Sequence, residues 1–388
     1  MQSKRIFFDT SGGKLYPNLP SKPSKAKILS QISDDSCPLS KVIVGENNES
    51  NMRILRRLAF NAFSNPTHSC KGMSFAIYGG PGQGKTYVAK KWMETIGIPF
   101  LLVQSDTLND TWMLFEMLTE LFLDAGTPLE PMGDDFHYSL PPCIIFFDEA
   151  HALNSDLRTG GLLPAMEPND AWLRTAASGK NQNVYHIDCS EVCWVAATTD
   201  PGILLKSSSA FYSRFRMHIQ WQPAGVKEIA KIVELDNQNK IAKNEEGILP
   251  IPEKACEIVA KYVSTPRTAV AFADHMSYEK NMLNNSWEKC AAIVAEDSGI
   301  DPFGLPYVIV NLLKELSTKP VSDRNIITLA NCRREQFDSE YAPILLSNLK
   351  DRGPLAQPTT KGWTITTAGC NELDKRGITH QGRLQVIR

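Results

Sequence analysis

Residues 78–92 read Tyr-Gly-Gly-Pro-Gly-Gln-Gly-Lys-Thr-Tyr-Val-Ala-Lys-Lys-Trp. Gly79, Gly84, Lys85 and Thr86 stand at the G-x-x-x-x-G-K-T spacing of a phosphate-binding loop. The apolar run Phe75-Ala76-Ile77-Tyr78 precedes the loop and a helix-compatible stretch follows it, the strand–loop–helix context that this motif requires. Glycines allow successive backbone N–H groups to turn inward around phosphate oxygens, and the N-terminal end of the following helix adds partial positive charge. The expected nucleotide contacts are Gly79, Gly80, Pro81, Gly82, Gln83, Gly84, Lys85, Thr86 and Tyr87. Lys85 is placed to reach the β- and γ-phosphates, and Thr86 to hold Mg²⁺.

A second element fits the first. Pro142-Cys143-Ile144-Ile145-Phe146-Phe147 is continuously apolar and runs into Asp148-Glu149-Ala150-His151. A run that is apolar on both faces suits an inner strand of a parallel sheet. Ligands of such sheets bind at the carboxyl ends of the strands, where Asp148 would lie. The expectation is that Asp148 completes a Mg²⁺ shell with Thr86, while Glu149 orients the attacking water. The letters DEAH also occur in another helicase superfamily. That superfamily would add a Ser-Ala-Thr segment, whereas the next apolar strand here, Val192–Ala197, leads into Thr198-Thr199-Asp200-Pro201.

From these residues onward the chain resembles AAA+ ATPases. The strand ending Ala-Thr-Thr is similar to their sensor 1 segment, which implies a place for Thr199 near the γ-phosphate. Ser209–Phe215 resembles the segment that carries the arginine finger, and Ser264–Ala269 resembles the sensor 2 region, which implies a nucleotide contact for Arg267. Within that class the chain resembles the RuvB family, the motor of Holliday-junction branch migration, from about Pro38 to Gly377. Ile43-Val44-Gly45-Glu46 resembles the family's segment near the adenine, which adds Ile43 and Val44 to the expected contacts. Leu163-Pro164-Ala165-Met166-Glu167 and Thr265-Pro266-Arg267 are specific matches. Trp172-Leu173-Arg174, a polar tip at Ser178–Asn181 and Val184–Asp188 resemble its β-hairpin.

There are departures from the family. Tyr212 stands where a first arginine is usual, leaving Arg214 as the residue expected to act in trans. Gln83 replaces an apolar residue. The hairpin tip is polar where the family docks its RuvA partner partly through apolar residues.

The resemblance implies an α/β fold: an AAA+ P-loop core with a parallel sheet, a small helical lid and a C-terminal winged-helix domain. The expected divisions are a flexible extension at 1–36, the ATPase domain at 37–222, the lid at 223–290 and the winged-helix domain with its tail at 291–388. Asp110–Leu123 carries apolar residues at helical spacing and reads as a sheet-covering helix. In the C-terminal part, helices are expected over Pro306–Leu316, Val321–Ala330 and Tyr341–Lys350, and a two-stranded wing over Ala356–Ala368.

Composition bounds the rest. The 388 residues carry 41 Lys and Arg against 43 Asp and Glu, a net charge of −2, which does not favour bulk electrostatic grip on DNA. From Asp301 onward the balance is 12 against 9, compared with 29 against 34 before it, so the basic excess coincides with the winged-helix resemblance. Arg333, Arg334 and Lys361 are the candidates for DNA phosphate contacts. The nine cysteines are scattered without zinc spacing and read as buried thiols. No apolar run reaches membrane-spanning length and no signal-peptide core is evident, so a cytoplasmic protein is expected.

The resulting expectation is an oligomeric ATPase, a hexameric ring by resemblance, that uses ATP and Mg²⁺ to move duplex or four-way-junction DNA. A RuvA-like partner would dock through the hairpin at 171–188. Two alternatives stay open: a clamp-loader-like switch, and an ATP-dependent scaffold that remodels a protein complex with the winged helix as its docking module.

Overall fold

The computed structural model describes residues 37–64, 72–132, 136–176, 183–346 and 353–380. The expected N-terminal extension and the hairpin tip at Ser178–Asn181 lie outside these residues. The chain divides into two compact units. The first runs to Val42 and takes in Asn48–Gly79 and Gly84–Trp221. The second takes Ile43–Asn47, Gly80–Gln83 and Gln222–Arg388.

The first unit is built on a five-stranded sheet in the order β2-β4-β7-β1-β8. Its strands are β1 (Phe75–Tyr78), β2 (Phe100–Gln104), β4 (Cys143–Asp148), β7 (Val192–Thr198) and β8 (Met217–Gln220), all paired in parallel. The apolar character of β4 and β7 follows from this order, since both are inner strands. Every residue of β7 and all but Asp148 of β4 are buried. The helix Thr111–Asp124, capped by Asp110 Oδ1 accepting from Met113 N, sends Leu114, Phe115, Leu118, Leu121 and Phe122 into the core on one face of the sheet. On the opposite face Trp92 is fully buried from the helix Lys85–Ile96, edge-on to Phe75 at 4.9 Å.

A smaller three-stranded sheet adjoins this core. It is formed by β3 (His137–Ser139), β6 (Val184–Asp188) and β5 (Trp172–Ala176), with β5 and β6 antiparallel and β3 parallel to β6. Tyr138 and Tyr185 point inward onto Phe115, whereas His137 and His186 stack at 4.9 Å.

The second unit contains two apolar cores. Four helices, Val226–Ala242, Glu253–Tyr262, Pro266–Leu283 and Trp287–Asp297, surround Ile229, Val233, Val259, Phe272, Met276 and Ala291. The expected boundary at residue 290 falls inside the last of these helices. Ala291, Val294 and Ala295 pack into the helical core, so the helical domain extends to about Ile300.

The other core lies between the helices Tyr307–Thr318 and Asp323–Leu329, a helical segment over Arg334–Leu346, an antiparallel ribbon and a last helix, Thr367–Lys375. The ribbon consists of β9 (Ala356–Thr359) and β10 (Gly362–Ile365), turning through Thr360 and Lys361. Two differences from the sequence expectation appear here. The third helical segment begins at Arg334 rather than Tyr341 and passes through a π-helical stretch at Phe337–Tyr341. Thr366 caps a helix where only the end of the wing was expected, its Oγ1 accepting from Gly369 N at 3.2 Å. At the base of this domain Arg376, its side chain 5 % exposed, binds Asp301 and Glu372, both at least as buried.

Candidate nucleotide site

The phosphate loop occupies the turn between β1 and the helix Lys85–Ile96. Gly84 is the helix N-cap with φ 87° and Gly82 has φ 69°, a region that L side chains rarely adopt. Lys85 begins the helix and is 6 % exposed. The apex of the loop is tied within the second unit. The N–H of Arg267 donates to the Gly82 carbonyl at 3.3 Å, and the Gln83 side-chain oxygen accepts from Ala224 N at 3.3 Å. Gln83 is 6 % exposed, so the residue that departs from the family's apolar preference is buried and has a specific tether. The Arg267 side chain is exposed, Ile43 and Val44 are half-buried, and Tyr87 is 48 % exposed.

In the first unit the carboxyl ends of β4 and β7 bring four predicted residues together. Thr86 Oγ1 donates to Asp148 Oδ1 at 3.0 Å, and the same oxygen accepts from Glu149 N at 3.2 Å. Burial holds the Asp148 carboxyl above its ordinary value of 3.8, and the Thr86 hydrogen bond only partly offsets this. A desolvated carboxylate beside a threonine hydroxyl is a hard-oxygen donor pair suited to Mg²⁺.

Glu149 has φ 50°, a left-handed conformation that is uncommon for a side-chain-bearing residue. Its carboxylate is held by Thr199, which donates from its backbone N at 3.1 Å and from Oγ1 at 2.9 Å. His151 has no role in the sequence reading, yet it completes this cluster. Its Nδ1 lies 3.3 Å from Glu149 Oε2 and 2.9 Å from the fully buried Thr198 hydroxyl. Thr198 Oγ1 also accepts from Asp200 N at 3.1 Å.

Arg214 stands at the C-terminal end of the short helix Ser209–Ser213 and forms an ion pair with Glu167 of its own chain. Its Nε is buried with no hydrogen-bond partner among the described residues. Tyr212, at the usual first-arginine position, stacks on His218 with ring centroids 4.1 Å apart. Burial raises the Tyr212 hydroxyl and lowers the His218 imidazole, so both favour their neutral forms.

The DNA-contact candidates differ from one another. Arg334 is paired with Asp338 at 2.8 Å and with Asp323 at 3.8 Å. Arg333 is exposed and precedes the helical segment, and Lys361 is exposed in the ribbon turn. Among the described residues no group of three or more His, Cys, Asp or Glu side chains is arranged to hold a metal ion, and no helix is long and apolar enough to cross a membrane.

Residues 75–223 match the family model of the ATPase family associated with various cellular activities (AAA). No curated protein matches the chain in sequence. Among solved structures, the RuvB Holliday junction branch migration motor of Thermotoga maritima superposes with a TM-score of 0.60 at 20% identity, covering 89% of this chain and 98% of that one. A point mutant of the same protein gives a TM-score of 0.61 at 19% identity, covering 87% and 97%. The chain thus has the RuvB fold built around an AAA ATPase domain.

Proposed function

We propose that the chain is an oligomeric AAA+ ATPase that couples ATP hydrolysis to movement along DNA. The observation that carries the hydrolytic reading is the continuous network Thr86–Asp148–Glu149–Thr199 at the carboxyl ends of β4 and β7. In this reading Lys85 and the amides of Gly80–Thr86 hold the phosphates, and Thr86 and Asp148 hold Mg²⁺, which would screen charge on the β- and γ-phosphates. Glu149 orients the attacking water, with Thr199 and His151 fixing its carboxylate. Arg267 contributes from the helical domain, starting at the loop apex that its own amide meets. Arg214 leaves Glu167 on assembly and meets the nucleotide of a neighbouring subunit, supplying charge where it develops in the transition state.

Movement on DNA is supported by the similarity in fold to a protein described as a branch migration motor, by the ribbon-bearing C-terminal domain and by the exposed Arg333 and Lys361. The deciding experiment compares ATPase rates without DNA, with linear duplex and with a four-way junction. Stimulation by either DNA supports the motor. ATPase activity indifferent to both would discard it.

Two observations favour a second reading. Arg334 has its charge answered by Asp338 and Asp323, and the whole chain is slightly acidic. Both suit a C-terminal domain that docks protein, in which case the ATPase works as a remodelling scaffold.

A further inference from the structure

We propose that Glu167 is an autoinhibitory latch on Arg214. Its carboxylate competes with the nucleotide phosphates of a neighbouring subunit for one guanidinium, and so sets the chain concentration at which subunits assemble. The proposal rests on the trans role given to Arg214 above and adds a regulatory contact to it.

The backbone on both sides of the pair is held in place. Arg214 lies between Phe211 and Phe215, which are fully buried and meet edge to face with ring centroids 5.4 Å apart. The Arg214 N–H donates to the Phe211 carbonyl at 3.1 Å. Glu167 follows the buried Met166, and its own N–H donates to the Pro164 carbonyl at 3.3 Å. Opening the pair is therefore a change of side-chain rotamers, with no rearrangement of the chain.

The pair is also incomplete. Arg214 donates to Glu167 through Nη2 alone, and its Nε–H is buried without an acceptor among the described residues. A buried donor left unmet costs free energy, so the resting pose does not satisfy the guanidinium fork. A terminal phosphate offers more negative charge than one carboxylate, and more oxygens for the planar donors to reach. Release on the Glu167 side is inexpensive. The two side chains are 26 % and 40 % exposed, and Glu167 lines an open cleft of about 390 Å³ with Pro168, Asn169 and Asp170. Water can solvate the abandoned carboxylate there. Asp170 adds negative charge to the same cleft, which favours keeping the cation until a stronger competitor arrives.

The simplest competing account is that the ion pair only fastens the helix Ser209–Ser213 to the segment that carries Glu167. Removing the carboxylate would then loosen that helix and weaken assembly. A latch predicts the opposite sign, because Glu167 opposes the step in which Arg214 leaves it.

The test measures self-association of the full chain by sedimentation, with Mg²⁺ and the β,γ-imido analogue of ATP so that turnover does not interfere. Glu167→Gln keeps the shape and an acceptor oxygen but removes the charge. It is expected to reach half-assembly at a chain concentration about three- to tenfold below that of wild type. The gain should run through Arg214. In an Arg214→Ala background the same substitution should shift half-assembly by less than about twofold, the non-additivity expected of groups in direct contact. Assembly of Glu167→Gln that is unchanged or weaker, or an equal gain in the Arg214→Ala background, overturns the latch. An Arg214→Ala variant that assembles and hydrolyses ATP like wild type overturns the trans role itself, and this proposal with it. A hydrolytically inactive Arg214→Ala beside an unchanged Glu167→Gln overturns the latch alone.

Discussion

Glu149 and Thr199, fifty residues apart in sequence, meet through two hydrogen bonds to a single carboxylate oxygen, one from the threonine backbone and one from its hydroxyl. The backbone of Glu149 is left-handed at this point, a conformation that costs on the order of 1 kcal/mol for an L-residue. The contact with Thr199, just past the end of β7, therefore holds the glutamate in a pose that local preference does not supply. Glu149→Gln should keep ATP binding and lower turnover by about 10²–10⁴-fold. Thr199→Val, which removes one of the two donors, should lower kcat less and leave KM nearly unchanged. Steady-state phosphate release together with nucleotide binding checks both. Near-normal turnover in the glutamine variant would move the water-orienting role to another residue.

Asp148 gives a pH prediction. Burial raises its carboxyl above the ordinary 3.8. Below that value both folded and unfolded chains are protonated and the residue costs the fold nothing. As pH rises through the raised value, the folded chain is forced to ionise a desolvated group and loses stability. Asp148→Asn should therefore raise the melting temperature of the nucleotide-free protein at neutral pH, with the gain shrinking toward pH 4. Addition of Mg²⁺ and nucleotide should stabilise wild type more than the variant. A lower melting temperature for the variant at pH 7 would contradict the burial argument.

The first unit was largely legible in the sequence because its signals are local. A glycine loop after an apolar strand, a carboxylate pair closing a second apolar strand and a helical period over Asp110–Leu123 each lie within a few residues of chain. What was not legible are the pairings at long range. Nothing near Arg214 points to Glu167, 47 residues away, and nothing near His151 points to the hydroxyl of Thr198. The helix Trp287–Asp297 was divided by the expected boundary because Ser286, its N-cap, marks a helix start without saying which core the helix joins. The early start at Arg334 was hidden by a π-helical stretch, which breaks the 3.6-residue period on which the reading depends.

In the proposed reading Arg214 acts only on assembly, whereas within its own chain it pairs with Glu167. Arg214→Ala should bind ATP normally and hydrolyse it about 10³–10⁵-fold more slowly if the guanidinium acts on a neighbour's nucleotide. Mixing this variant with Lys85→Ala should create interfaces in which an intact loop faces an intact arginine, and activity should partly return. Sizing the mixture establishes co-assembly. Mixed assemblies without rescue would leave Arg214 with only its Glu167 partner.

The C-terminal cations should separate. Replacing Arg333 and Lys361 by Ala should weaken duplex binding and reduce the slope of log affinity against log salt by about 0.9 for each phosphate no longer neutralised. Arg334→Ala, which removes a guanidinium already paired with two acids, should change the slope less. Affinity titrations between about 50 and 200 mM salt, the range over which phosphate neutralisation is felt, measure it. A slope unchanged in all variants favours the protein-docking role of this domain.

Arg376 should be the most sensitive position of the C-terminal core. Arg376→Ala leaves Asp301 buried without its counter-ion and Glu372 with only the more exposed Lys375, a change that costs about 3–5 kcal/mol in comparable settings. Limited proteolysis should then cut within residues 301–380 while the ATPase domain persists. Wild-type resistance in the variant would refute the importance of the pair.

The same ion pair sets an order on synthesis. Asp301 precedes Arg376 by 75 residues, and a chain made from its N-terminus folds domain by domain as it emerges. The ATPase and helical domains can each close around residues already made. The last domain cannot: until residue 376 leaves the ribosome, Asp301 has no cation to enter the core with. Completion of the C-terminal domain thus waits on residue 376, and a ribosome stalled between residues 301 and 376 would present two folded domains and one still waiting for its counter-ion.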